Sequence, residues 1–309
     1  MPSTDPHARQ TAIAEPAAKD QRDPLAGRLG LSVPHGWWAS AALLKSYEAA
    51  GFAWVQLHSP PASVLRDASQ CRRHATGAGA ALATTGLGAV VHAPGDLQAG
   101  SAEADRALEG LLSYAAELGA SQVVYHAHPL ADAPENEDAL RAESNSLEQL
   151  ARLAERLELT IAIENLCPTF PGLESVSASP LSLRALAQHI NSERVQLCLD
   201  LGHAHVIADL RHTSLDLLVE PVLDLVSVFH VHDNLGARWG QGAVGDELGI
   251  DPLRLDLHLP PGRGSLPWDA VAPVLAGHEA PMVLEVHPPF RPKASELFGT
   301  ASELLGARA

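Results

Sequence analysis

Eight apolar runs of strand length, separated by longer segments of helical period, constrain this chain more than any other feature. The runs are RLGLSV (28–33), AWVQLH (53–58), GAVVHA (88–93), QVVYHA (122–127), TIAIEN (160–165), VQLCLD (195–200), VSVFHVH (226–232) and MVLEVH (282–287). They are apolar almost throughout, as strands are when both faces of a parallel sheet are covered. Between them, residues 101–119 place Ala104, Leu108, Leu111, Leu112 and Ala115 on one helical face. Residues 136–158 repeat Leu140, Leu147, Leu150, Leu153 and Leu157 in the same way. Further helices are expected at about 39–51, 62–80, 180–191, 205–220, 267–277 and 294–307. Strands and helices in strict alternation specify βαβ units, and eight of each predict a closed (β/α)₈ barrel, the α/β TIM-barrel class. An open doubly wound sheet is the second choice, because no G-x-G-x-x-G turn follows an early strand.

The length of 309 residues suits one such barrel with a short extension. Residues 1–27, polar and rich in Ala and Pro, read as a loosely attached tail without the apolar centre of a secretory signal, and residues 28–309 as the barrel. No apolar run is long enough to span a bilayer. The net charge of −16 argues against nucleic acid and anionic membranes as partners. A small-molecule substrate is the expected partner, and self-association stays open. Cys71, Cys167 and Cys198 are too few and too scattered for a disulfide framework or a cysteine metal knuckle, which fits a reducing cytoplasm.

Histidine carries the functional information. Many of the 16 histidines stand where apolar runs end, and in a (β/α)₈ barrel the C-terminal strand ends form the site. The third run ends at His92 and the fourth at His126 and His128. The fifth ends at Glu164, the sixth at Asp200 with His203 close behind, the seventh at His230 and His232, and the eighth at Glu285 with His287 beyond. The long connection from about 233 to 266 adds Asp256 and His258, followed by PPGRG with Gly262 and Gly264. One histidine at a strand end is easily a satisfied polar group. Repetition over six strand ends is not explained that way, and an unpaired acid ending an apolar run is costly. Imidazole and carboxylate together suit Zn²⁺, Mn²⁺, Fe²⁺ or Co²⁺, and the number of donors suggests two or three ions with a bridging carboxylate such as Glu164 or Glu285. His230 and His232 are read as rivals, one entering the mouth and the other packing under a helix, and His126 and His128 likewise. Trp37 and Trp38, after the first strand, are candidates to line a sugar or ring pocket, with packing as the plainer alternative. His126 and His287 are further candidates for substrate contact.

Taken in order, IEN, the D-x-G-H of LDLGH, HVHDN, the Asp-x-His before PPGRG, and LEVHP resemble the xylose isomerase-like TIM-barrel superfamily. That superfamily includes endonuclease IV-type enzymes and sugar epimerases. The resemblance runs from about residue 28 to the end. It implies that Glu164, Asp200, His232 and Glu285 bind one metal, with His203 contacting substrate. From the endonuclease IV type it implies additional ligands at His92, His128 (or His126), His203, Asp256 and His258.

The expected activity is that of a metal-dependent isomerase or epimerase of a sugar, cyclitol or related polyhydroxy carbonyl compound. The metal lowers the pKa of the C–H beside the carbonyl, and Glu164, Glu285 and His203 are the candidate catalytic groups. The alternatives are a polynuclear hydrolase of a small phosphate ester and a lyase or dehydratase sharing the enolate step. A metal-binding scaffold on a degenerate barrel is the non-enzyme option. Fold alone does not choose among them.

Overall fold

The computed structural model describes residues 25–168, 174–237 and 255–306. Eight parallel strands close into a barrel in chain order: β1 (Leu29–Ser32), β2 (Trp54–His58), β3 (Gly88–His92), β4 (Gln122–His126), β5 (Thr160–Glu164), β6 (Val195–Asp200), β7 (Val226–Val231) and β8 (Met282–Leu284). Around them run α1 (Ala41–Ala50), α2 (Ala62–Leu65), α3 (Ala68–Leu82), α4 (Ala102–Leu118), α5 (Glu137–Arg156), α6 (Pro180–Ile190), α7 (Leu201–Leu210), α8 (Asp216–Val219), α9 (Trp268–Ala276) and α10 (Ala294–Gly306). The expected (β/α)₈ architecture is therefore the one observed. No described helix is long and apolar enough to cross a membrane.

Alternation along each strand sorts side chains into two cores. Outward residues such as Leu31, Val55, Val91, Ile163 and Phe229 pack against the helices, while Val90, Val124, Ala162, Cys198, Val228 and Val283 fill the interior. Trp54 plugs the lower end of the interior, and two glycines admit it. A Cβ on Gly30 would lie 2.8 Å from that of Trp54, and one on Gly88 would lie 2.7 Å from its ring.

Two helices differ from the expectation. The segment 62–80 is two helices, because Asp67 accepts from the N–H groups of Ser69 and Gln70 and starts α3 afresh. The segment expected at 205–220 starts earlier, at Leu201, directly off β6. Asp200 caps it by accepting from His203 N at 2.8 Å, so His203 lies in a helical first turn. Packing also begins before residue 28: Leu25 is buried and Ala26–Arg28 form a 3₁₀ turn. The remainder of the expected tail, residues 1–24, lies outside the described residues, as do 238–254 of the long connection.

Candidate metal centre

The inward residue nearest the C-terminal end of each strand from β2 to β7 is polar, and register sets these residues side by side. His58 stands opposite His92, His126 opposite Glu164, and Asp200 opposite His230. Glu285 follows β8, its N–H held by Val231 O at 3.2 Å. Four overlapping groups of donors result. His92, His126 and Glu164 form one, Glu164, Asp200, His230 and Glu285 a second, and His203, His232, Asp256 and His258 a third, while Cys198 beneath Glu164 and His230 makes a fourth with those two. Within each group the donor atoms lie within 4.8 Å of one another. Glu164 belongs to both the first and the second group and can bridge them.

The hydrogen bonds on the outer side of each ring decide what the inner side can do. His92 Nδ1 donates to Ala93 O at 2.7 Å, His203 Nδ1 to Asn165 O at 2.8 Å, and His258 Nδ1 to Glu285 O at 3.1 Å. His232 Nδ1 faces Asp233 O at 3.3 Å. Gln56 donates through Nε2 to Glu285, so its Oε1 accepts from His230 Nε2 at 2.7 Å. Each ring thus spends its proton outward, and its second nitrogen presents a lone pair inward. What that lone pair meets is a carboxylate oxygen: Glu164 for His92 at 3.3 Å and for His230 at 2.9 Å, and Asp256 for His203 at 3.3 Å and for His258 at 3.0 Å. His126 Nε2 lies 3.0 Å from Glu164 Oε2, and His232 Nε2 3.1 Å from Asp200 Oδ2. Two facing acceptors require a cation between them. The donor set, its spacing and the outward-fixed tautomers fit divalent metal.

Without metal, protons take that place. Burial disfavours charge on His203 and His258, but the carboxylates beside them raise both, His258 to about 9. Burial also disfavours charge on Glu164 and Asp256, yet the surrounding imidazoles hold both well below the usual carboxylate range.

Two assignments need correction. Residues two apart on a strand share a face, so His230 and His232 both enter the mouth and neither packs under a helix. His230 joins Glu164, Asp200 and Glu285, the place expected for His232, while His232 falls in the third group. His126 and His128 separate because β4 ends at His126. His126 faces Glu164, whereas His128 turns away, its Nε2 bonded to Ala99 O at 3.0 Å. His287 stacks on His258, ring centroids 4.9 Å apart. Trp37 and Trp38 line a separate part of the mouth with His92 and His126.

Several supporting residues lie in motifs that the sequence marked without giving these residues a role. Asn165 brackets Asp200, its Oδ1 accepting from Asp200 N at 2.8 Å and its Nδ2 donating to Asp200 O at 2.9 Å. Buried Asp233 accepts from the N–H groups of Asn234, Gly262 and Leu266 and from Trp268 Nε1. Asn234 Oδ1 accepts from Leu257 N at 3.0 Å, fixing the residue between Asp256 and His258. Gly264 lies so close that a Cβ there would meet Asp233 Oδ1 at 2.3 Å. His258 itself adopts φ +48°, a left-handed conformation that side chains other than glycine's disfavour. His58 and Gln56 were detectable: both share β2's inward face, on the same alternation that marks His92.

A family described as xylose isomerase-like TIM barrel matches residues 44–303, and the chain belongs to that family. Among solved structures, it is similar to a D-tagatose 3-epimerase-like protein (18% identity, TM-score 0.66, covering 91% of this chain and 98% of that one). It is likewise similar to the 3-keto-D-glucoside 4-epimerase YcjR from E. coli (16%, TM-score 0.65, covering 90% and 98%). A third likeness is to the IolI protein with a bound zinc atom (14%, TM-score 0.63, covering 91% and 99%). At these identities the likeness is one of fold. No curated protein sequence matches.

Proposed function

We propose that this chain is a metal-dependent isomerase or epimerase acting on a sugar, cyclitol or related polyhydroxy carbonyl compound. The observation that carries the reading is the pairing of Glu164 and Glu285, from β5 and β8, on either side of His230 Nδ1, which lies 2.9 Å from Glu164 and 3.5 Å from Glu285. Glu164, Asp200, His230 and Glu285 would hold one ion, His92, His126 and Glu164 a second, and His203, His232, Asp256 and His258 a third. When bound, the metal supplies Lewis acidity to a substrate carbonyl and its neighbouring hydroxyl.

The protein's own groups move the proton. Glu285 is more exposed than Glu164, whose oxygens are engaged by three imidazoles. Glu285 therefore serves as the base that takes the proton from the carbon beside the carbonyl, leaving an enediolate. Return of that proton by Glu285 to the neighbouring carbon gives the isomer, and delivery of a proton to the other face by the opposed carboxyl of Glu164 gives the epimer. Gln56 orients Glu285 through its side-chain N–H.

The test is incubation of the metal-loaded protein in deuterated water with a panel of ketoses and ketocyclitols, followed by NMR. Deuterium at the carbon beside the carbonyl is the expected result. A second reading, a polynuclear hydrolase of a small phosphate ester, draws support from the third donor group lying beside the second. Phosphate release from an ester panel without deuterium incorporation would replace the first reading with this one.

A further inference from the structure

A cavity of about 690 Å³ opens beside the metal centre. One end is walled by His92 and His126, the donor group with three ligands, and the other by Trp37 and Trp38. The volume lies within the range of about 300–1,000 Å³ usual for small-molecule sites. A row of rings joins the two ends: His35 to His58 at 5.2 Å, His58 to His92 at 5.4 Å, and His92 to His126 at 4.8 Å between centroids.

Trp37 and Trp38 are 61% and 51% exposed, and are the only exposed aromatic residues of large size among those described. Both line the cavity, and large apolar surface exposed at the wall of a cavity marks a place where something binds. Trp38 is also held in place. Its ring meets His74 edge-on at 4.9 Å, and a Cβ on Gly77 of α3 would lie 3.3 Å from it, so glycine lets the indole rest on the helix. His74 in turn bonds Tyr114 Oη at 3.2 Å. The platform is built before any ligand arrives, which reduces the ordering cost of binding.

The charge of the wall narrows the ligand. No Lys or Arg lines this cavity among the described residues, and Asp96 is its one carboxylate. Burial lowers the His74 imidazole beside the indoles, whereas at the metal end burial of His92 is outweighed by Glu164 and its imidazole is raised. Apart from the ion that His92 and His126 would hold at one end, a phosphate or carboxylate tail would find no lysine or arginine along this wall, whereas an uncharged ring would find indole faces.

We infer that this cavity is a subsite for an uncharged ring carried by the substrate beside its reacting carbonyl, with Trp37 and Trp38 covering the ring's face. The inference rests on the isomerase or epimerase reading for the reacting end and adds the substrate class: a ring-bearing, unphosphorylated polyhydroxy compound. The ring is either a second sugar or an aryl group, and both offer the same stacking face.

The test measures binding to the full-length, metal-loaded chain by saturation-transfer NMR and titration, which needs no turnover. The probes are methyl glucoside, phenyl glucoside, cellobiose and a hexose phosphate. Phenyl glucoside, cellobiose or both should bind about tenfold more tightly than methyl glucoside, with saturation strongest on the added ring. Which of the two gains more assigns the ring as aryl or sugar. The double variant Trp37→Ala, Trp38→Ala should lose that advantage with metal content unchanged, and Trp37→Phe, Trp38→Phe should retain most of it. The inference is overturned by tighter binding of the hexose phosphate, by equal affinity in the double Ala variant, or by no gain from either ring. Failure of deuterium exchange with ring binding intact removes the isomerase reading and leaves the subsite standing.

Discussion

At the scale of single residues, the centre is governed by where each imidazole keeps its proton. Gln56 shows this most directly, because one amide sets both His230 and Glu285. Replacing it with Leu leaves His230 free to carry its proton on either nitrogen and deprives Glu285 of a donor. Metal affinity of Gln56→Leu should fall by about 10- to 100-fold. Titration against a competing chelator measures it, and unchanged affinity would show that the tautomer is fixed by something else. Glu285→Gln keeps the shape but removes a charge and the proposed base. Turnover, read as deuterium exchange, should drop about 100- to 10,000-fold, with metal content measured alongside to separate loss of base from loss of ligand. Full activity at full occupancy would remove Glu285 from the base role. The residue types of the site were legible in the sequence because polar groups ending apolar runs are rare. The choice between His230 and His232 was also legible, since side chains two apart share a strand face, but the reading placed them on opposite faces.

At the scale of elements, the long connection after β7 is the part that sequence pattern described least. Its candidate donors Asp256 and His258 stood out, but what holds them did not. Asp233 and Asn234 are unremarkable as letters. Their role appears only when the chain returns to pair Leu259 with Asp233 in an antiparallel bridge and four donors close on one buried carboxylate. Strand positions were recovered to within one to three residues at either end, because burial on both faces leaves a continuous apolar run. Helix starts were missed at α3 and α7, where Asp67 and Asp200 act as caps, since one acid in a polar stretch is ambiguous without its partners. Asp233→Ala should orphan those donors and cost about 2–4 kcal/mol of stability. It should also release the segment bearing Asp256 and His258 while leaving Glu164, Asp200, His230 and Glu285 in place. The wild-type chain should hold more than one metal ion. Asp233→Ala should lose about one equivalent, as should the double variant Asp256→Ala, His258→Ala. Elemental analysis of the folded proteins decides: one ion in all three would refute a separate third site.

At the scale of the whole molecule, the strand ends of one barrel gather buried carboxylates against imidazoles, and each facing pair of lone pairs needs a proton or a metal ion between them. The closed barrel followed from the alternation of eight strands with eight helices, together with the lack of a G-x-G-x-x-G turn that an open doubly wound sheet would favour. How the strand ends share charge did not follow, since it depends on cross-strand register. In the metal-free protein, His258 has a folded pKa of about 9, above its ordinary 6.5. Its contribution to stability is fully present below pH 6.5 and is lost as pH rises through 9. Glu164, Asp200 and Asp256 have folded values below their ordinary ones, so their contributions are present above the carboxylate range and lost on acidification. The chelated protein should therefore be most stable at mildly acid pH and weaken toward pH 9. Metal reverses the alkaline limb, because it binds deprotonated imidazole and gains affinity as protons leave. Melting temperatures with chelator and with excess zinc or manganese, taken from mildly acid pH to about 9, should thus diverge as pH rises. Proton release on metal addition near neutral pH should accompany the divergence, read with an indicator dye in weak buffer. Parallel pH profiles with and without metal, or no protons released, would mean that the facing lone pairs are not where the metal binds.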